Sequence, residues 1–196
     1  MLQDKLSGYR LILASQSPRR QMLLEGLDLN FEVILIPEID ESIPDNLFGK
    51  DIAIYLSKHK AQTYKSILNS KTIVITADTI VWYNNQVLNK PIDKYDAVNM
   101  LKMLSGQMHI VYTGVCISTI NREITFCSET KVWFRELNDN EINFYVDKYN
   151  PYDKAGAYGA QEWIGYVAIE KIEGSYFNVM GLPVQQLYNE LETFIK

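Results

Sequence analysis

The sequence predicts an α/β fold in which a mixed β-sheet is flanked by helices. Short apolar segments typical of strands alternate with longer helical segments in the first half of the chain, a pattern typical of parallel strands joined by helical crossovers. Two long strand-like runs then follow each other directly, which indicates an antiparallel hairpin. The 196 residues contain no repeat and no linker-like stretch, so we expect a single domain over residues 1–196.

In the first half of the chain, Ser17-Pro18 combines an N-cap residue with a first-turn proline directly after an apolar strand. Residues 72–77 are apolar on both faces, as expected for a central strand. Asn84-Asn85 is placed to form the turn of a hairpin. The expected elements are strand 9–15, helix 18–27, strand 31–37, helix 47–69, strand 71–78 and a hairpin over 79–88.

In the second half, capping residues mark the starts of the helices. Asp93 is placed to cap one helix, and Asn138 with Glu141 forms a capping pattern for the next. Pro183 opens the last helix. The expected elements are a helix capped at 93 and ending at 104, strand 108–120, strand 123–135, a helix capped at 138 and ending at 149, strand 166–173 and the last helix.

The charge balance excludes some classes of function. Lys and Arg number 19 and Asp and Glu number 24, for a net charge of −5. Such a chain lacks the positive surface that general nucleic-acid binding or anionic-membrane binding requires. The longest apolar run, residues 52–56, is far shorter than the ~20 residues of a membrane span. The first ten residues lack the apolar segment of a signal peptide, so we expect a cytoplasmic protein with no membrane partner.

The cysteines and histidines do not form a recognisable catalytic or metal pattern. Cys116 and Cys127 are equidistant from Asn121-Arg122, so a two-residue hairpin there would place them opposite each other. Asn-Arg is not a favoured turn of this kind, and two reduced, half-buried cysteines are the expected state in the cytosol. His59 and His109 show no zinc spacing and no support for a Ser-His-Asp triad, so a histidine-activated nucleophile is not expected.

The helix that begins after Ser17 carries two arginines at an unusual position. Unpaired N–H groups and the helix dipole favour an anion at a helix N-terminus, so Arg19 and Arg20 in the first turn fit best beside a polyanion. Ser15 and Ser17 can add hydroxyl donors. The alternative is a solvated arginine pair next to an ordinary serine cap.

Lys60 falls on the apolar face of the second predicted helix. The apolar stripe at helical spacing consists of Ala53, Leu56, Tyr64, Ile67 and Leu68. Lys60 lies inside this stripe, whereas Lys58 and Lys65 lie outside it. An inward ammonium requires a partner, either a carboxylate or a ligand phosphate. The alternative is a buried stem whose charged end reaches water.

Asp78 is expected to end the central strand, where ligands of open α/β sheets usually bind. Glu38, Asp40 and Glu41 add carboxylates in the preceding polar loop. Carboxylates near arginines and lysines indicate a Mg²⁺ or Mn²⁺ site for a phosphorylated ligand. The alternative is that Asp78 and Thr79 only cap a turn.

Eight segments match one family in order and spacing: LILASQSPRR, EIDES, LSKHKAQ, TADTIV, LNKP, LSGQMHIVYTGV, DKAGAYGAQ and GSYFNVMGLP. By these segments the chain resembles the Maf family of nucleoside triphosphate pyrophosphatases over essentially its whole length. The resemblance implies an elongated, twisted mixed sheet of the Maf/ITPase-like kind, with a cleft between two lobes, commonly in a homodimer. It also implies metal-dependent hydrolysis between the α and β phosphates, which yields a nucleoside monophosphate and pyrophosphate.

The resemblance assigns roles to single residues. Asp78 matches the catalytic proton acceptor, and Glu41 and Asp78 match the positions expected to hold Mg²⁺ or Mn²⁺. The positions that contact phosphate match Ser15, Arg20, Lys60 and Lys90.

Arg19, Thr79 and Gln161 match the subtype that acts on dTTP and UTP. The subtype that acts on methylated GTP has Trp, Gln and an acidic residue instead. We therefore expect hydrolysis of dTTP, UTP and modified pyrimidine nucleotides. The rival hypothesis is a non-enzymatic nucleotide-sensing or nucleic-acid-binding regulator of cell division. Such a regulator needs the cations but not a base together with a metal ligand, so Asp78 and Glu41 favour the enzyme.

Overall fold

The computed structural model describes residues 1–36 and 42–195, in which seven strands form one mixed sheet. The strands are β1 Arg10–Leu13, β2 Glu32–Val33, β3 Thr72–Tyr83, β4 Gln86–Leu88, β5 Met108–Ser118, β6 Glu123–Phe134 and β7 Ile169–Glu173. Their order is β2-β1-β3-β5-β6-β7, with β4 paired to β3. β1 is parallel to β2 and β3, and the other pairs are antiparallel.

Helices flank this sheet, which confirms the predicted α/β class. They are α1 Leu2–Leu6, α2 Pro18–Glu25, α3 Lys50–Gln62, α4 Lys94–Leu104, α5 Asp139–Tyr149, α6 Trp163–Ala168, α7 Tyr176–Met180 and α8 Val184–Phe194. Short 3-10 turns occupy Lys65–Ile67, Pro151–Asp153 and Ala155–Ala157. None of the described helices is both long enough and apolar enough to cross a membrane.

Two large hydrophobic cores lie toward opposite ends of β3 and β5. One contains Ile73 and Ile75 of β3 and packs against α1, α2 and α8. The other contains Val81 of β3 and packs against α4 and α5. Asp78 and Thr79 lie between the two cores, so the chain has two lobes joined by strands that run through both.

β3 continues past Asp78, so the prediction that this residue ends the strand is wrong. Residues 74–82 pair with β5 without a break, and Asp78 lies opposite Gly114. On the other edge, β1 pairs with the first four residues of β3 and β4 with the last three. Among the described strands none pairs with residues 76–80 on that edge. This gap leaves polar side chains in the middle of β3 uncovered by a neighbouring strand.

The helix predicted over 47–69 is shorter in the structure and ends at Gln62. Tyr64 is buried, and its hydroxyl donates to the carbonyl of Ile34 and accepts from the N–H of Ile36. The helix ends just before Tyr64, whose side chain bonds to the segment after β2.

Two predicted strands are shorter than expected. The strand predicted over 31–37 pairs only at the two residues of β2, and its last residue lies outside the described part. The strand predicted over 166–173 begins only at β7, because its first residues belong to α6. A Cβ added to Gly165 in this helix would lie 1.8 Å from the carbonyl oxygen of Ala160, so the glycine permits this close approach.

Local signals marked several boundaries correctly. Asn84-Asn85 has φ values of 48° and 60° and forms the two-residue turn between β3 and β4. Asp93 accepts from the N–H of Asp96, and Asn138 forms the predicted capping box with Glu141. These interactions span four residues or fewer, which is why the sequence alone predicts them.

The hairpin between β5 and β6 has a four-residue connection, so the two cysteines are not opposite each other. Cys116 pairs with Thr125, and Cys127 pairs with Gly114. Both thiols are free, as expected. Burial raises the pKa of each thiol to about 11, so neither is a thiolate at neutral pH.

Candidate active site

A cleft opens beside β3 between the two lobes. It consists of two adjoining cavities of about 560 and 370 Å³, volumes that suit small-molecule ligands. The smaller cavity contains the N-terminus of α2, and the larger one extends to Tyr158 and Gln161. The residues that line both cavities are Ser17, Arg19, Arg20, Lys60, Lys90 and Asp153.

Lys60 and Asp78 form an ion pair at the base of the cleft. Their side chains are only 15% and 13% exposed. The predicted inward lysine therefore has a carboxylate partner. Because both charges are largely removed from water, the loss of Lys60 would leave Asp78 as a costly, largely buried charge.

Close packing of α3 on the sheet brings these two side chains together. Gly114 lies opposite Asp78, and a Cβ added to it would lie 2.1 Å from the carbonyl oxygen of Ala53 on α3. The Thr76 hydroxyl on β3 also donates to the carbonyl of Ser57, at 2.6 Å. Lys60 follows Ala53 by two helical turns and so faces the same sheet.

Arg20 contacts the face of β3 opposite to the one that carries Asp78. Its Nε donates to the carbonyl of Gly181 at 2.8 Å, and a terminal nitrogen donates to the Thr79 hydroxyl at 3.0 Å. The Thr79 hydroxyl lies 2.9 Å from that of Thr113, which donates to the carbonyl of Asn178. Buried polar groups thus fix both Arg20 and Thr79.

Arg19 crosses the cleft to the other lobe. It donates to Asp153 at 2.8 Å, and Lys154 lies 2.7 Å from the second oxygen of that carboxylate. Although burial raises the pKa of Asp153, hydrogen bonds from Lys154 and Arg19 bring it below the ordinary aspartate value. The bridge therefore carries an ionised carboxylate at neutral pH.

Behind Gln161 lies a second group of buried polar side chains. Lys154 is 8% exposed and also lies 3.0 Å from Oε1 of Glu162. The Tyr145 hydroxyl donates to Oε2 of Glu162 and accepts from the N–H of Gly159 at 3.0 Å. Burial, and then the Glu162 carboxylate, raise the pKa of Tyr145, so its hydroxyl stays protonated.

Ser15 lines the smaller cavity, and Lys90 lines both cavities. Ser15 is buried, and its hydroxyl accepts from the N–H of Ser17 at 3.2 Å. Lys90 is exposed and makes no ion pair with a described residue. Its ammonium is therefore available to an anion in the cleft.

The described residues contain no group of three or more His, Cys, Asp or Glu side chains that could enclose a metal ion. Glu38, Asp40 and Glu41 lie outside the described residues. Mg²⁺ is commonly held by one or two carboxylates, with substrate phosphates completing its oxygen shell, and Mn²⁺ accepts the same donors. The Asp78 carboxylate, which lies in the cleft among basic side chains, has the donor chemistry for a metal of that kind.

All the predicted site side chains that the structure describes line the cleft, namely Ser15, Arg19, Arg20, Lys60, Asp78, Thr79, Lys90 and Gln161. Three residues were not identified from the sequence, namely Thr113, Tyr145 and Glu162. They form hydrogen bonds behind the wall of the cleft. It also did not single out Asp153 and Lys154, although these two begin the DKAGAYGAQ segment. The roles of the lining residues stay predictions.

Comparisons by sequence identify the family of this chain. The family model described as Maf-like protein matches residues 10–194. A protein named dTTP/UTP pyrophosphatase from Parabacteroides distasonis is 51% identical over 97% of this chain and 99% of its own. One of the same name from Flavobacterium johnsoniae is 45% identical over the full length of both. A solved nucleoside-triphosphatase, a dITP/XTP pyrophosphatase from Mycobacterium abscessus, is 11% identical with a TM-score of 0.41, covering 94% of this chain and 98% of that chain.

Proposed function

Since the chain belongs to the Maf-like protein family, we propose that it is a nucleoside triphosphate pyrophosphatase that hydrolyses dTTP and UTP. The relatives named for this activity match essentially the whole chain. The products are the nucleoside monophosphate and pyrophosphate. In the cell this reaction removes unwanted nucleotides from the pool, modified pyrimidine nucleotides included.

One observation carries the proposal: Asp78 meets Lys60 in a cleft whose opposite wall is the N-terminus of α2. A carboxylate at this point can accept a proton, while the surrounding cations and N–H groups bind phosphate. A protein that only bound a nucleotide would need the cations but not the carboxylate. The arrangement therefore favours an enzyme over a nucleotide-sensing or nucleic-acid-binding regulator.

The phosphate groups of the substrate would lie between α2 and α3. A triphosphate carries about four negative charges, and Arg20, Lys60 and Lys90 would neutralise the β and γ phosphates that leave as pyrophosphate. Ser15 and the first turn of α2 would add uncharged donors. No covalent intermediate is needed, and neither cysteine is ionised at neutral pH.

Asp78 would accept the proton of a water molecule as that water attacks the α phosphorus. The bond from this phosphorus to the bridging oxygen then breaks, and pyrophosphate departs. A general base of this kind contributes about 10²- to 10⁴-fold in rate. We propose that Asp78 and Glu41 hold a Mg²⁺ or Mn²⁺ ion, which would supply positive charge against the phosphate oxygens when bound.

The base of the nucleotide would lie toward Gln161 in the larger cavity. The side-chain amide of Gln161 has a donor and an acceptor, which match the O4 and N3–H edge of thymine or uracil. Tyr158 lines this part of the cavity and limits its width. From the resemblance to the family we also propose a homodimer that works in the cytoplasm.

The direct test is pyrophosphate release from a panel of nucleoside triphosphates with Mg²⁺ or Mn²⁺. We expect kcat/KM for dTTP and UTP to exceed that for CTP and GTP by at least about tenfold, a difference of ~1.4 kcal/mol. Equal rates for all four, or a preference for a methylated GTP, would contradict the pyrimidine assignment. Absence of pyrophosphate release from every nucleotide would contradict the enzyme itself.

A further inference from the structure

We propose that Tyr145 and Glu162 are positioning residues that determine pyrimidine selectivity by holding Gln161 in one orientation. The inference rests on the proposed function, because it assumes that Gln161 meets the base. Tyr145 is fully buried in the core beneath α5, and neither it nor Glu162 lines the cleft. Both residues therefore act through Gln161 rather than by contact with a nucleotide.

One hydroxyl group bonds to the backbone before Gln161 and to the side chain of the residue after it. The Tyr145 hydroxyl accepts from the N–H of Gly159, two residues before Gln161, at 3.0 Å. The same hydroxyl donates to the Glu162 carboxylate, one residue after Gln161. A single buried phenol thus closes the turn that carries the Gln161 side chain.

The Gln161 amide lies close to Gly159. A Cβ added to Gly159 would lie 3.0 Å from Nε2 of Gln161 and 3.1 Å from Oε2 of Glu162. The amide nitrogen and the carboxylate oxygen therefore both lie next to the side of Gly159 where a side chain would be. A carboxylate only accepts hydrogen bonds, so it favours the NH₂ end of the amide on its own side and disfavours the flipped orientation.

A fixed orientation of the Gln161 amide matters because a glutamine that can flip distinguishes uracil from cytosine poorly. A freely rotating amide can present its donor to the O4 of uracil or its carbonyl to the N4–H₂ of cytosine, and so discriminates poorly between them. With the NH₂ group fixed, its second hydrogen can meet O4 of uracil and the amide oxygen can meet N3–H, whereas cytosine offers N4–H₂ and a bare N3 to the same two groups. Selectivity for UTP over CTP thus depends on residues that the base does not touch.

Lys154 links Glu162 to residues on the other side of the cleft. Its ammonium lies 3.0 Å from Glu162 and 2.7 Å from Asp153, and Asp153 accepts from Arg19. Arg19 and Gln161 both occupy specificity positions of the dTTP/UTP subtype. This chain of ion pairs and hydrogen bonds runs from Arg19 across the cleft to Glu162, the residue next to Gln161.

The test substitutes Tyr145→Phe, which removes the hydroxyl and keeps the ring. We expect the ratio of kcat/KM for UTP to that for CTP to fall at least about fivefold, with KM for UTP raised and kcat changed less than about twofold. Tyr149→Phe is the matched control, since this ring stacks on Tyr145 at 5.1 Å and its hydroxyl bonds no described residue. We expect it to keep the wild-type ratio.

Two further experiments test whether Tyr145 acts through Gln161. Gly159→Ala places a methyl group against Gln161 while Tyr145 stays intact, and we expect the same loss of selectivity. In a Gln161→Ala background, Tyr145→Phe should cause no further change in the ratio, because the two residues act as one unit. Thermal unfolding of each variant shows that it is folded.

The outcomes separate the inference from the proposed function. A Tyr145→Phe protein that keeps the wild-type UTP to CTP ratio would overturn the inference alone, as would an equal loss of rate on both nucleotides. A wild-type protein that releases no pyrophosphate from UTP would instead overturn the proposed function and the inference with it.

Discussion

Lys60 on α3 and Asp78 in the middle of β3 form an ion pair at the base of the cleft. The pair joins the two chemical roles expected of the site, since Lys60 is a phosphate-binding candidate and Asp78 is the candidate base. A phosphate that enters the cleft would share the Lys60 ammonium with Asp78. If the two residues have these roles, phosphate binding and proton transfer would be coupled through this one contact.

The first prediction concerns Asp78 as the general base of the reaction. Asp78→Asn keeps the shape of the side chain but cannot accept the proton, so we expect kcat for UTP to fall at least about 10²-fold. Asp147→Asn is the control, since this carboxylate is exposed on α5 and remote from the cleft. The rate of pyrophosphate release from UTP gives kcat for both variants. Near-normal turnover of the Asp78→Asn protein would remove Asp78 from this role.

The second prediction concerns phosphate binding. Lys60→Met keeps the apolar stem but loses the charge, and we expect nucleotide affinity to fall by roughly 1.5–3 kcal/mol, about 10- to 150-fold in Kd. Calorimetric titration with UTP in the Asp78→Asn background avoids turnover. Lys65→Met, at an exposed position, should bind normally. Normal affinity with a much lower melting temperature would show that Lys60 is structural.

The third prediction concerns the base of the nucleotide. Gln161→Glu places a group that only accepts hydrogen bonds against the O4 acceptor of uracil. We expect kcat/KM for UTP and dTTP to fall about tenfold. CTP is the internal control, because its N4–H₂ group can donate to the new carboxylate. Equal losses on UTP and CTP would mean that Gln161 does not read the base.

The fourth prediction concerns the packing that brings α3 to the sheet. Gly114→Ala would force a methyl group against the carbonyl oxygen of Ala53, 2.1 Å away, and so push α3 outward. We expect the free energy of unfolding in urea to fall by about 1–3 kcal/mol or more. Gly8→Ala is the control, since a Cβ there meets nothing within 4 Å. Equal stability of the two variants would contradict this packing.

The fifth prediction concerns pH. Burial lowers the pKa of His109 to about 3, whereas an unfolded histidine titrates near 6.5. Between these values the unfolded chain binds more protons, so stability is complete above pH ~6.5 and falls on acidification by up to about 1.4 kcal/mol per pH unit. Urea unfolding from pH 7 to pH 5 measures this slope.

His109→Gln removes the titrating group and keeps a polar partner for the Tyr158 hydroxyl, which lies 2.8 Å from Nε2 of His109. We expect this variant to lose much of the slope between pH 7 and pH 5. His59→Gln, on α3, controls for the removal of a histidine. An unchanged slope in the His109→Gln protein would assign the pH dependence to other groups.

Sequence patterns located most elements and most of the cleft, because their causes are local. The turn at Asn84-Asn85 and the caps at Asp93 and Asn138 depend on side chains and backbone within one turn. The inward position of Lys60 follows from helical periodicity alone. The course of β3 past Asp78 could not be found in this way, since it depends on pairing with a strand more than thirty residues away.

The sequence by itself determined the α/β class, the family and the residue types that line the cleft. Only the tertiary structure decided which of these side chains meet. Lys60 and Asp78 are joined because Gly114 lets α3 approach the sheet, and Gln161 is held because Tyr145, sixteen residues earlier, reaches Glu162 and Gly159. Such contacts depend on close packing between distant segments, and no periodicity or short-range pattern in a single chain records that geometry.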